Sequence, residues 1–234
     1  MFVKSIKIAT DAMFPIFRWN QLDKNQVQIG VGGTGFFIND QGYFASVAHI
    51  FDNPTPNTKF LYSGRIPDEI INPQLQIEEV YRNDDLDIYI GKVNIKTPIY
   101  FHLSKEFPDI GKSVCVAGYP LAQIKPNQQG GFDVSQVRRY FQPTFVLDKI
   151  IVNSQNGKDK IRKHDGFLVR DVGLFGMSGG PVFDVDGLVV GIQGSVTAPR
   201  TSDNGSGRTI TVENAVVIKS ELILDILNKE GIKL

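Results

Sequence analysis

The residues best suited to chemistry lie in Gly176-Met177-Ser178-Gly179-Gly180-Pro181. A serine among glycines suits a tight turn that exposes the hydroxyl and lets nearby backbone N–H groups converge on one point, as a developing oxyanion requires. A serine hydroxyl is a weak nucleophile near neutral pH. Attack on a carbonyl therefore needs a histidine to take its proton and a carboxylate to orient that histidine. The histidines are His49, His102 and His164, and all three precede Ser178.

The serine turn fits two unrelated patterns, the G-x-S-x-G nucleophile elbow of α/β-hydrolases and a G-x-S-G-G-P turn. The elbow runs in the order Ser, acid, His and demands a histidine after Ser178, so that pattern fails. The order that remains for a β-rich chain is His, Asp, Ser. His49 ends an apolar run, Tyr43-Phe44-Ala45-Ser46-Val47-Ala48, which follows Gly33-Thr34-Gly35-Phe36-Phe37-Ile38 and a turn. Asp87 opens Ile88-Tyr89-Ile90-Gly91-Lys92-Val93, 38 residues after His49 and 91 before Ser178. Asp84 and Asp85 compete with it as loop carboxylates, but the apolar alternation starts directly behind Asp87.

These segments resemble the chymotrypsin/trypsin-like serine proteases, most closely their disulfide-free bacterial branch, the HtrA/Deg-type trypsin-like peptidases. The stretch Val114-Cys115-Val116-Ala117-Gly118-Tyr119-Pro120 resembles the opening strand of the second barrel in that branch. The resemblance implies a mainly β chain of two six-stranded antiparallel β-barrels with a C-terminal helix. It implies His49, Asp87 and Ser178 as catalytic triad, and the N–H groups of Gly176 and Ser178 as oxyanion hole. The strand Gly191–Val196 would pair with the substrate backbone, with Gly194, Ser195 and Val196 presenting its edge. Val172, six residues before the serine, takes the place that floors the P1 pocket and favours an apolar or small P1. A slip of one residue would put Asp171 there and favour Arg or Lys.

The implied activity is hydrolysis of peptide bonds in a protein or peptide substrate through an acyl-enzyme, with no cofactor and no metal. Met177 stands where trypsin-type zymogens carry Asp, so no zymogen switch of that kind is expected. About twenty residues follow Val212, so no PDZ domain is expected either. The alternative is a catalytically silent protease-fold binding or scaffold module, and an esterase on the same scaffold is a third reading. An unregulated protease is hazardous, so restriction would come from a narrow substrate, a regulatory protein partner or an inactive resting loop.

The elements that must position these residues read as strand and turn. Short Phe-, Ile-, Val- and Tyr-rich runs recur between Gly, Pro, Asn and Asp clusters: 27–29, 35–38, 43–47, 60–62, 88–93, 114–117, 144–147, 167–169, 181–183, 188–192 and 209–212. Asn39-Asp40-Gln41-Gly42 and Val185-Asp186-Gly187 read as turns between strands. The polar stretches Gln123–Phe132 and Val152–Asp165 read as loops. Leu222, Ile223, Ile226 and Leu227 form one helical stripe, with Ser220 as cap and Gly231 as stop. Pro108, Asp109 and Gly111 mark a boundary. It gives a first barrel over 5–106 with the His and Asp, a second over 107–218 with the Ser, and a helix over 219–231.

Other features carry less. His102 reads as structural, His164 as a solvated loop residue and Cys115 as buried and inert. Gly111-Lys112-Ser113 lacks the first glycine of a phosphate-binding loop, since Glu106 stands there. Asn204-Gly205-Ser206 is a glycosylation sequon that reads as a chance turn. The 234 residues balance 25 Lys and Arg against 25 Asp and Glu, which removes the charge expected of a general nucleic-acid binder. No apolar run is long enough to span a membrane. The start, MFVKSIKIATDAMF, does not read as a signal peptide, so a cytoplasmic location is expected.

Overall fold

The fold is taken from a computed structural model, which describes residues 1–23, 26–52, 54–62, 75–128, 132–133, 136–156, 160–197, 200–202, 209–211 and 213–234. The chain opens with helix α1 (Val3–Ala12), then β1 (Met13–Gln21), β2 (Val27–Phe37) and β3 (Tyr43–Ser46). A 3-10 turn over Ala48–Phe51 leads to β4 (Thr58–Tyr62), β5 (Leu75–Gln76), β6 (Glu78–Asn83) and β7 (Ile88–Lys92). These seven strands form one sheet, ordered β5-β4-β1-β2-β3-β7-β6, that curls into a half-barrel.

The remaining strands are β8 (His102–Leu103), β9 (Ser113–Gly118), β10 (Lys125–Pro126), β11 (Phe132–Asp133), β12 (Tyr140–Asn156) and β13 (Lys160–Val169). They continue through β14 (Pro181–Asp184), β15 (Leu188–Thr197), β16 (Arg200–Ser202), β17 (Thr209–Thr211) and β18 (Asn214–Lys219) to helix α2 (Ser220–Lys229). The order β14-β9-β12-β13-β18-β15 closes on itself through β14 with β15, giving a six-stranded barrel; β8 adds to β15 in parallel. The mainly β, chymotrypsin-like architecture expected from the sequence is the one observed, but with one closed six-stranded barrel and a seven-stranded half-barrel in place of two six-stranded barrels.

Alternation builds two cores from single strands. On β9, Val114 and Val116 face the barrel interior with Val146, Phe167, Val169, Met177, Val182, Val190 and Val217. Cys115 and Ala117 face the other way and join a larger cluster that runs into the half-barrel. There Phe14 meets Phe37, Phe44 and Tyr62 at ring-centre distances of 4.7, 5.1 and 4.9 Å. Each buried aromatic contributes about 1.5–3 kcal/mol, and such ring pairs add about 0.5–1.5 kcal/mol. The two sheets thus share one apolar mass.

Several expectations change. Val152–Asp165 is not a loop, because β12 and β13 continue as a long hairpin, with Val152 opposite His164. His164 is therefore a strand residue. Gln123–Phe132 contains β10 and the start of β11. Ser220 does not cap α2: its hydroxyl donates to the Ser104 carbonyl at 2.7 Å, and Lys219 holds the cap position. Gly231 does end the helix, at φ +67, as the Ile232 N–H returns to the Leu227 carbonyl at 2.9 Å. The sequon and Val212 lie outside the described residues. Among the described residues no helix is long and apolar enough to cross a membrane.

Candidate active site

Antiparallel pairing of β3 with β7 explains how His49 finds Asp87. Ser46 sits opposite Tyr89, so His49, three residues beyond Ser46, and Asp87, two before Tyr89, overhang at the same end of the sheet. The Asp87 carboxylate Oδ2 lies 2.8 Å from His49 Nδ1, and Oδ1 accepts the His49 backbone N–H at 2.9 Å. Asp87 adopts φ +56, a left-handed conformation that Asp tolerates better than most residues. Its side chain is 3% exposed, whereas that of His49 is 25% exposed, so the pair is dry on one side and open on the other.

Of the competing carboxylates, Asp85 is exposed and Asp84 accepts from Arg82 Nε at 2.8 Å. Arg82 also pairs with Asp52 and donates to the Phe51 carbonyl at 3.3 Å. One guanidinium therefore ties the turn after His49 to the turn before Asp87. Burial opposes its charge, yet Asp84 and Asp52 together hold its pKa above the ordinary value.

Ser178 lies in the loop between β13 and β14. Gly176 and Gly179 have φ +94 and +84, and a Cβ on either would run into the Tyr119 carbonyl or into Ser46 and the Thr34 carbonyl. Only glycine permits this close turn. Met177 is fully buried in the barrel interior, which is why an apolar residue precedes the serine.

The loop is fastened to the half-barrel by Thr34 on β2. Its N–H donates to the Ser178 carbonyl at 2.8 Å, and its hydroxyl donates to the Gly176 carbonyl at 2.8 Å while accepting the Tyr119 N–H at 3.2 Å. Its own carbonyl accepts from the Ser46 hydroxyl at 2.8 Å. Gly33, next to it, would carry a Cβ against both the Ser178 carbonyl and the Ile50 side chain, so the serine loop abuts the residue that follows His49. Sequence reasoning cited Thr34 only within a glycine-rich strand motif and missed this role.

The peptide joining Phe175 to Gly176 is oriented as well. The Phe175 carbonyl accepts the Leu121 N–H at 2.9 Å. In a trans peptide the C=O and N–H point in opposite directions, so the Gly176 N–H is directed away from Leu121. Val172 and Asp171 are both half-buried, and the Asp171 carbonyl accepts the Ala215 N–H at 3.0 Å. On β15, Gly194 is buried, Ser195 is half-buried and Val196 is exposed, next to a bulge between Gln193 and Ser195. His102 is exposed on β8 beside the Tyr100 ring and lies outside this constellation.

Known proteins resemble this chain in sequence and fold. The chain is 24% identical over 192 residues to a probable periplasmic serine endoprotease DegP-like of Bartonella henselae, matching 82% of this chain and 33% of that protein. The chain thus spans about a third of the length of that relative. Among solved structures, the active form of the Rv3671c protease from M. tuberculosis superposes with a TM-score of 0.64 at 17% identity, covering 99% of this chain and 86% of the other. The HtrA-type protease AlgW with a decapeptide superposes with a TM-score of 0.69 at 13% identity, covering 98% and 67%. The periplasmic designation of the Bartonella relative points away from the cytoplasm and corrects the location expected from the N-terminal sequence. Residues 33–192, from the strand that holds Thr34 to the strand beside the serine loop, match the model of the trypsin-like peptidase domain, and the chain belongs to that family.

Proposed function

We propose that this chain is a serine endopeptidase that cleaves peptide bonds through an acyl-enzyme. The carrying observation is the two-point hold of Asp87 on His49, at the edge of a half-barrel to which Thr34 fastens the Ser178 loop. With Nδ1 committed to Asp87, the ring's Nε2 is the nitrogen free to act as base. It takes the Ser178 Oγ proton as Oγ attacks the scissile carbonyl, and later delivers that proton to the leaving amine. Asp87 keeps the tautomer and stabilises the imidazolium. The N–H groups of Gly176 and Ser178 receive the oxyanion, the first helped by the orientation of the 175–176 peptide.

The edge Gly194–Val196 on β15 is the proposed track for the substrate backbone. The P1 side chain enters between that edge and Val172. Water repeats the attack on the acyl-enzyme, with His49 again as base.

The test is a fluorophosphonate probe followed by peptide turnover. Labelling and peptide cleavage that both vanish in Ser178→Ala support the endopeptidase. Folded protein that takes no label is instead a binding or scaffold module. Turnover of activated esters without cleavage of any peptide marks an esterase.

A further inference from the structure

Gln193 lies beside the serine loop, and the triad does not use its chemistry. Its backbone exchanges hydrogen bonds with the two glycines after Ser178: the Gly179 N–H donates to the Gln193 carbonyl at 2.8 Å, and the Gln193 N–H donates to the Gly180 carbonyl at 2.9 Å. The side chain therefore starts within one residue of the nucleophile. It lies flat on Gly173, the neighbour of Val172, with Cδ 2.9 Å and Oε1 3.0 Å from where a Gly173 Cβ would stand and Nε2 closer still. Nε2 donates to the Ser195 carbonyl at 3.3 Å, which fixes the amide's orientation. Oε1 is enclosed with no hydrogen-bond partner among the described residues, and the residue is 2% exposed.

A buried amide with an orphan acceptor costs stability relative to a satisfied or apolar side chain. An apolar residue would fill the same wall more cheaply, so stability does not account for glutamine here. The position does. A P1 side chain hangs from the Cα next to the carbonyl carbon that Ser178 attacks, so it enters between the 172–175 segment and β15, the gap that the Gln193 amide bridges. Gly173 has no side chain, and the amide occupies the space one would fill.

We infer that Gln193 is a specificity-determining residue, its amide filling the deep part of the P1 pocket so that only a small P1 side chain, of alanine size, is accommodated. This rests on the endopeptidase reading above. It replaces the choice between Val172 and Asp171 as pocket floor, because the amide lies across Gly173 before a long side chain reaches either. Leucine, phenylalanine, lysine and arginine at P1 are excluded by volume.

The experiment compares kcat/KM on peptides that differ only at P1 (Ala, Leu, Phe, Arg), for the parent chain and Gln193→Ala. The parent prefers Ala over Leu and Phe by tenfold or more, the discrimination a closed apolar pocket supplies. In Gln193→Ala the order inverts toward Leu and Phe. The inversion is a ratio within one enzyme, so a general loss of folded protein does not mimic it. A parent preference for Leu, Phe or Arg overturns the inference without any variant, and so does a Gln193→Ala enzyme that loses all four substrates in proportion. Both outcomes leave Ser178-dependent cleavage by the parent chain intact, whereas absence of Ser178-dependent labelling of the parent overturns the endopeptidase reading and this one with it.

Discussion

Asp87 holds His49 twice, through its ring and through its backbone. Oδ2 meets Nδ1 at 2.8 Å while Oδ1 takes the backbone N–H at 2.9 Å, so ring orientation and chain position depend on one carboxylate. Asp87→Asn keeps the size but offers an NH2 group to one of these partners and disfavours the tautomer with a proton on Nδ1. We expect kcat to fall about 10⁴-fold with the fold retained. Circular dichroism alongside steady-state turnover checks both halves, and a loss under tenfold rejects the role.

Thr34 carries the second prediction. Thr34→Val is isosteric but strands the Gly176 carbonyl and the Tyr119 N–H, both of which the hydroxyl serves. Stability should drop by about 1–3 kcal/mol in urea denaturation, and kcat should fall with it as the serine loop loosens. Thr34→Ser retains the hydroxyl and should recover most of both. Equal behaviour of the Val and Ser variants would show that the hydroxyl fastens nothing.

The site was legible wherever a backbone demand is written locally. The glycines around Ser178 announce a turn no other residue can make, and the alternation behind Asp87 distinguishes it from Asp84 and Asp85. Other elements carry no such signal. β1 has its first five residues buried on both faces and its last four half-buried, so it shows no period of two. α1 has no side-chain cap and no acidic first turn. The hairpin of β12 and β13 reads as polar loop because Val152–Asp165 is rich in Asn, Gln, Ser, Lys and Asp, with no apolar alternation to mark the cross-strand pairing that the structure shows. The packing of the Gln193 amide on Gly173 escaped for another reason: it joins residues 20 apart in sequence, a contact that no local pattern encodes.

Cys115 gives a prediction in pH. It is fully buried on β9, and burial pushes its thiol up to about 12 from 9.0. The folded state holds the proton more tightly than the unfolded chain. Its stabilising share is therefore complete below pH 9 and is lost as pH rises toward 12. Iodoacetamide at pH 8 should leave the folded protein unmodified and alkylate it in denaturant. The stability deficit of Cys115→Ala should be largest below pH 9 and shrink above it. A deficit that grows between pH 9 and 11 contradicts the burial argument.

Gly176 tests the oxyanion peptide apart from the triad. Its φ of +94 and the Tyr119 carbonyl beside its Cα leave no place for a methyl group. Gly176→Ala must therefore rotate the 175–176 peptide or push Tyr119 away, and either movement breaks the alignment that the Leu121 N–H imposes through the Phe175 carbonyl. The His49–Asp87 pair lies outside this peptide and keeps its two hydrogen bonds. The expected result is a fall in kcat of about 10²–10³, the usual worth of one oxyanion donor, with KM changing little. Labelling by a fluorophosphonate should slow in parallel, because its phosphoryl oxygen needs the same donors. Labelling at the parent rate would mean that the Gly176 N–H is not aimed at the reacting oxygen, and that the Leu121–Phe175 bond orients nothing catalytic.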